Sequence, residues 1–316
     1  MGSHQIHLGR NRDINQPAPE FQLPIFNGAV DANTVRSFAG FSIINLNERA
    51  GTSRYNSLQI FAQHRVDRYG LQFQAAYTYS RDIVDANNKD SEGHANPIQD
   101  AYHPELERAV ADQNTPHSLS LNYIWDAPFF KNMSGWKGQA LGGWEFVGIT
   151  TFRSGLPLTI CEDRDIDGTR SEACQRPNLI SNPRLDKGQR TLSRFFNTDA
   201  YVLQPPGTFG NAGRNMITGP GINNFDFSIF KNFQTPWFGH GTNSLAGESA
   251  NLQFRAEYFN LFNHTQFSGV RTTFVPQTDA NGNLLVGQPA DPSSGFGVLT
   301  GARAPREIQF AMKFIF

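Results

Sequence analysis

One run in this sequence has the residue types and spacing to hold a metal: Asp163-Arg-Asp-Ile-Asp-Gly168. Carboxylates at alternate positions, closed by a glycine that permits a sharp turn, are how a loop wraps a hard cation such as Ca²⁺. A full loop of that kind ends in a bidentate Glu at its twelfth position. Cys174 stands there instead, and Glu172 is out of register. Asp163, Asp165 and Asp167 are thus a candidate metal set, the alternative being a solvated acidic loop. Cys161 and Cys174 bracket the run, and a pair this close can form a small disulfide loop in an oxidising compartment; two free thiols are the alternative.

Little else suggests chemistry. Arg255 and Glu257 sit two apart on one strand and could line a path as a charge pair, or simply hydrate a wall. His4 and His7 could ligate a metal by chance, although a disordered terminus is the simpler account. Gly207 to Asn215 is glycine-rich but lacks the Lys-Ser/Thr and the helix of a phosphate cradle. The eight His are scattered, and G-x-S-x-G, HExxH and CxxC are absent. No enzyme and no cofactor other than Ca²⁺ is expected. A net charge of −1 implies no attraction to nucleic acid.

The elements that would position these groups are strands. Twenty-seven Phe at a mean hydropathy of only −0.46 suit alternating strands better than buried helices. Leu71, Phe73, Ala75, Tyr77 and Tyr79 alternate with Gln72, Gln74, Thr78 and Ser80. Asp67-Arg-Tyr-Gly70 is a tight turn joining this strand to Leu58–Val66. Leu119 to Trp125, Phe225 to Ile229 and Leu252 to Tyr258 alternate likewise. Trp144 to Phe152 is a strand of ambiguous facing, and Phe41 to Leu46 a short one turned back by the polar run 47–53. Residues 1–39 read as an irregular lead.

The final segment carries Ile308, Phe310, Met312, Phe314 and Phe316 at every second position. It resembles the C-terminal β-signal of bacterial outer-membrane proteins, whose last strand faces lipid on one side and water on the other. Connections alternate between short (67–70, 131–143, 233–249) and long (84–116, 157–221, 263–304), as in transmembrane barrels with short periplasmic turns and long extracellular loops. Trp125, Trp136, Trp144 and Trp237 fall near the short ones, where an interfacial belt would place them. No run approaches the ~18 apolar residues of a membrane helix. The expected fold is all-β, an antiparallel transmembrane barrel over residues 40–316. On that reading the Cys161–Cys174 loop is extracellular, which favours the disulfide.

Several motifs together resemble one family. They are Tyr55-Asn-Ser-Leu-Gln, Tyr77-Thr-Tyr-Ser80, Leu141-Gly-Gly-Trp through Arg153-Ser-Gly155 and Phe195-Phe-Asn-Thr-Asp-Ala200. Gly207 to Asn215, Phe225 to Phe233 and Phe254 to His264 complete the set. These are similar to the C-terminal part of TonB-dependent, Oar-like outer-membrane receptors, over about residues 40–316. The resemblance implies a 22-stranded barrel, a signal peptide and a plug that contacts TonB. Here about eight strands are legible, with no signal peptide, plug or TonB box, so the chain is expected to be the tail of a longer one. Its expected partners are outer-membrane lipid and the barrel-assembly machinery, with TonB reached only through a plug elsewhere. The transported ligand is not named by the sequence. Two other readings stay open: an independent small outer-membrane barrel acting as an adhesin, and a soluble β-sandwich that binds carbohydrate.

Overall fold

The computed structural model describes residues 1–86, 97–130, 135–234 and 251–315. The alternating segments form an antiparallel meander of β1 (Gly2–Asp13), β2 (Asn45–His64), β3 (Leu71–Val84) and β4 (His117–Asp126), followed by β5 (Trp144–Arg153), β6 (Ile222–Gln234), β7 (Asn251–Phe259) and β8 (Glu307–Ile315). Each pairs with the next in chain order, and Ala109–Val110 adds a short piece to β3, giving a nine-stranded sheet. β1 and β8 are its edges. Among the described residues no strand pairs with the outer side of either, so the sheet is open.

Directly opposed residues in an antiparallel pair share a face, so the register carries each face across the whole sheet. One row runs His64, Phe73, Tyr123, Gly148, Phe227, Tyr258, Ile308. The next runs Leu71, Trp125, Phe146, Ile229, Ala256, Phe310. Rings stack along these rows, Trp125 on Phe146 at 5.5 Å and Phe146 on Phe227 at 6.0 Å. The opposite face reads Gln72, Ile124, Val147, Ser228, Glu257, Gln309. One side of the sheet is therefore apolar and the other mostly polar. The ambiguity of Trp144 to Phe152 is resolved by its neighbours: Phe146, Gly148, Thr150 and Phe152 take the apolar side.

At one end of the sheet the connections are short. Gly70 closes the 65–70 turn with φ +72, and Asp126 O lies where a Cβ would stand. Trp125 Nε1 donates to Tyr69 O at 3.1 Å, and Trp144 Nε1 to Ala140 O at 3.1 Å. The two indole N–H groups are thus held by carbonyls of the short connections, one in the 65–70 turn and one in the short helix Gly135–Leu141. Trp237 and Phe316 lie outside the described residues, as does the connection 235–250.

At the other end the long connections form a folded cap, which holds the main apolar core. Ile160, Ile166, Phe195, Phe196, Ala200, Tyr201, Leu203 and Ile217 from the 154–221 connection pack with Val270, Phe274 and Phe296 from 260–306. Phe196, Tyr201 and Phe274 all meet Phe296 edge-on at 5.0–6.0 Å. Thr273–Phe274 pairs in parallel with Cys161–Glu162, joining the two connections by main-chain bonds.

Three expectations are corrected. Residues 1–39 are not an irregular lead: Gly2–Asp13 is a strand, followed by helices α1 (Pro19–Phe26) and α2 (Ala32–Val35). His4 accordingly lies within β1, opposite Arg54. The polar run 47–53 does not turn the chain back but belongs to the 20-residue β2, which begins after Phe41. Its polar side chains hide the strand from periodicity, and two register shifts against β1 break the alternation. The long connections, read as loops, contain the molecule's principal buried core.

Candidate functional site

The polar face and the cap above it are where a ligand could be held. Arg255 and Glu257 share that face but do not bridge one another among the described residues. Arg255 Nε donates to Gln253 Oε1 at 2.6 Å, and its guanidinium lies 5.3 Å from the Phe230 ring centroid. Glu257 Oε2 accepts from Gln309 Nε2 at 2.6 Å. Each charge is thus held by a neutral amide from the ladder. Two hollows open along this face. One of about 310 Å³ is lined by Gln63, Gln72, Gln74, Asn122 and Ile149. A second of about 420 Å³, nearer the cap, is lined by Tyr55, Gln59, Thr78, Asp82 and Asn114.

Buried guanidinium groups tie the long connections to one another and to the wall. Arg36 reaches Asp13 Oδ2 at 3.3 Å, with side-chain exposures of 1% and 0%, and also donates to Asn15 O and Thr169 O. One guanidinium therefore joins the end of β1, the 14–44 connection and the cap. Arg176 meets Glu107 at 2.8 Å, and Arg214 donates to Ala86 O and Val84 O at the end of β3. Sequence reading missed these residues, because an Arg or Glu in a long polar connection carries no periodic signal.

The acidic loop is built differently from its spacing. Cys161 and Cys174 are disulfide-bonded with their Cα atoms 5.2 Å apart. Asp163 turns outward onto Arg164, its neighbour in sequence, at 3.0 Å. Asp167 is 1% exposed and accepts from Thr169 Oγ1 at 2.7 Å, while Asp165 lies 3.4 Å from Arg170. The three carboxylates therefore do not converge, and among the described residues no three of His, Cys, Asp or Glu group to hold a metal. Burial drives the Asp167 carboxyl well above its ordinary range, against the pull of the Thr169 hydrogen bonds. Burial likewise pushes Glu162 up to about 7, although a hydrogen bond from Gln204 holds it lower than it would otherwise be.

The polar face presents amides and two charged side chains, Arg255 and Glu257, with the cap at one end of the sheet. Ile308, Phe310, Met312 and Phe314 share one side of β8, and Phe310 and Met312 are 67% and 74% exposed. No helix among the described residues is long and apolar enough to cross a membrane. No curated protein and no solved structure matches the chain. The family described as "outer membrane beta barrel domain" matches it over residues 1–309. The two-faced antiparallel sheet, with short connections at one end and a folded cap at the other, is what that match requires. The chain belongs to the outer-membrane β-barrel domain family, and its place is the bacterial outer membrane.

Proposed function

We propose that the chain forms the C-terminal wall and outer cap of a TonB-dependent, Oar-like receptor that takes up a solute through the outer membrane. The observation that carries this is that, among the described residues, no strand lies along the outer side of β1 or β8. In hydrocarbon every main-chain polar group must be satisfied within the protein, so spanning sheets are closed. An open sheet with an apolar face therefore needs further strands on both sides, and a barrel larger than eight strands encloses a path instead of a filled core. The hollows along the polar face and the amide-held Arg255 and Glu257 suit such a path. Energy would arrive from TonB through a plug, and β8 would be the strand offered to the assembly machinery. No catalytic role is assigned.

The test is a blot of fractionated native cells with an antibody to this segment, comparing boiled and unboiled samples. The proposal predicts an outer-membrane band much larger than 35.2 kDa. A heat-modifiable band at 35.2 kDa would overturn it in favour of a small independent barrel. Ligand contact by the cap is best tested at exposed positions such as Ile180, Leu192 and Val286. Deleting 263–304 would remove Phe274 and Phe296 from the cap core.

A further inference from the structure

Two carboxylates in the cap are pinned by the same donor. Gln175 Nε2 donates to Asp165 Oδ1 at 2.7 Å and to Asp167 Oδ1 at 2.9 Å. The amide is fixed in that sense, because its oxygen accepts from the N–H groups of Ile166 and Asp167 at 2.7 and 3.3 Å. Each carboxylate is left with a buried second oxygen, Oδ2, that receives no hydrogen bond. Arg170 stands near Asp165 Oδ2 at 3.4 Å but without hydrogen-bond geometry, and its side chain is 57% exposed.

A neutral side chain adds a third oxygen of the same kind. Gln204 is 0% exposed, its Oε1 has no donor, and its Nε2 is held by Glu162 Oε2 at 3.0 Å. One main-chain bond lays this segment against the acidic turn, Gly207 N donating to Ile166 O at 2.8 Å, and Glu162, which holds Gln204, is itself tied to Gln175 O through its N–H at 2.7 Å. Glu162, Asp165 and Asp167 bring three carboxylates to the cluster, and among the described residues Arg170 is the cation that pairs with one of them. Buried carboxylate oxygens left without donors are unfavourable unless a cation or further donors reach them. An all-oxygen donor set of this kind is suited to a hard cation.

We propose that Asp165 and Asp167 are the carboxylate ligands of a hard divalent cation of the Ca²⁺ type, with Gln204 Oε1 as a neutral oxygen ligand. Glu162 acts one step out, orienting Gln204 and adding charge. Gln175 is the positioning residue that holds the two carboxylates side by side. Asp163, the first aspartate of the motif, takes no part, because its carboxylate is turned outward to Arg164. The ion would brace the cap beside the Cys161–Cys174 bond. With only two carboxylates the site belongs among weak extracellular ones, on the order of 10⁻⁴–10⁻³ M.

The test titrates the native outer-membrane protein that contains this chain, extracted in detergent, with CaCl₂ by calorimetry and follows its thermal midpoint with and without chelator. One saturable Ca²⁺ per chain is expected, with the midpoint rising as Ca²⁺ is added. Asp167→Asn and Asp165→Asn should weaken binding at least about tenfold, the loss expected for one removed charge-bearing ligand. Asp163→Asn should leave it unchanged. Should either variant fail to fold, the wild-type titration and Asp163→Asn still decide. Absence of saturable binding to the folded wild-type chain at millimolar Ca²⁺ overturns the proposal, and so does loss of binding in Asp163→Asn.

Discussion

The phenol of Tyr123 lies across Gly148 on the apolar face of the sheet. The two residues are opposed in the β4–β5 register, and a Cβ at position 148 would overlap the Tyr123 ring. The glycine is thus a seat for its cross-strand aromatic neighbour, which covers the backbone that glycine leaves bare. Gly148→Ala should destabilise the wall by about 1–3 kcal/mol through overpacking. Tyr123→Ala combined with Gly148→Ala should recover most of the clash but lose the ring's burial. A double-mutant cycle read by urea unfolding in detergent checks this, and additive effects would show that the two residues are uncoupled.

Neighbouring positions on β8 should respond oppositely to charge. Phe310 faces outward among apolar residues, whereas Ala311 faces Arg255 on the polar side. Phe310→Arg should cost about 2–4 kcal/mol near the bilayer midplane, whereas Ala311→Glu, placed opposite Arg255, should cost close to nothing. The fraction that migrates as folded protein in unboiled gels measures both. Equal losses would mean that the faces have been assigned wrongly.

The Arg36–Asp13 pair should be among the most sensitive contacts between cap and wall. Both side chains are excluded from water, and Asp13 Oδ1 also accepts from Asn15 N and Ile44 N. Arg36→Ala leaves a buried carboxylate uncompensated, with an expected cost of about 3–5 kcal/mol. Limited proteolysis should then cut within 14–44 and the cap before it cuts the strands. Asp13→Asn with Arg36→Met should be milder than Arg36→Ala alone, since no charge is left stranded.

The cap should lose stability as pH rises through a defined window. Glu162 titrates at about 7 in the folded cap against 4.5 for the free side chain. The folded state therefore holds the proton more tightly. The contribution of this group is fully present below about pH 4.5, declines between 4.5 and 7, and is lost above 7. The full change is on the order of 3 kcal/mol. The raised pKa of Asp167 acts in the same direction. Melts of the full chain in chelator at several pH values should show the decline, and Glu162→Gln should flatten it.

Much of the wall could be read directly from alternation, because a side chain's face on a strand depends only on its position in the local run. Phe73, Tyr77, Leu119, Phe227, Tyr258 and Phe310 fall on the side their spacing predicts. The strand count agrees partly through two offsetting errors: β1 was missed, while the start of β2 was taken for a strand of its own. The facing of β5 was not readable, since both its parities carry apolar residues and only the register with β4 and β6 separates them.

The residues of the cap were less legible. Asp163, Asp165 and Asp167 are evenly spaced, yet one faces solvent on an arginine and two turn inward onto Gln175. Gln175 and Gln204 have no signature at all, because what they do depends on partners 8 and 10 residues away for Gln175 and 42 residues away for Gln204 being laid beside them. By itself the sequence determined the two-faced strands, the sorting of short from long connections and the membrane they suit, since these rest on local periodicity and composition. Only the tertiary structure decided that the long connections fold into one core, that Arg36 joins three distant segments, and which acidic oxygens are left without donors. Those outcomes depend on burial and long-range contact, which no local pattern encodes.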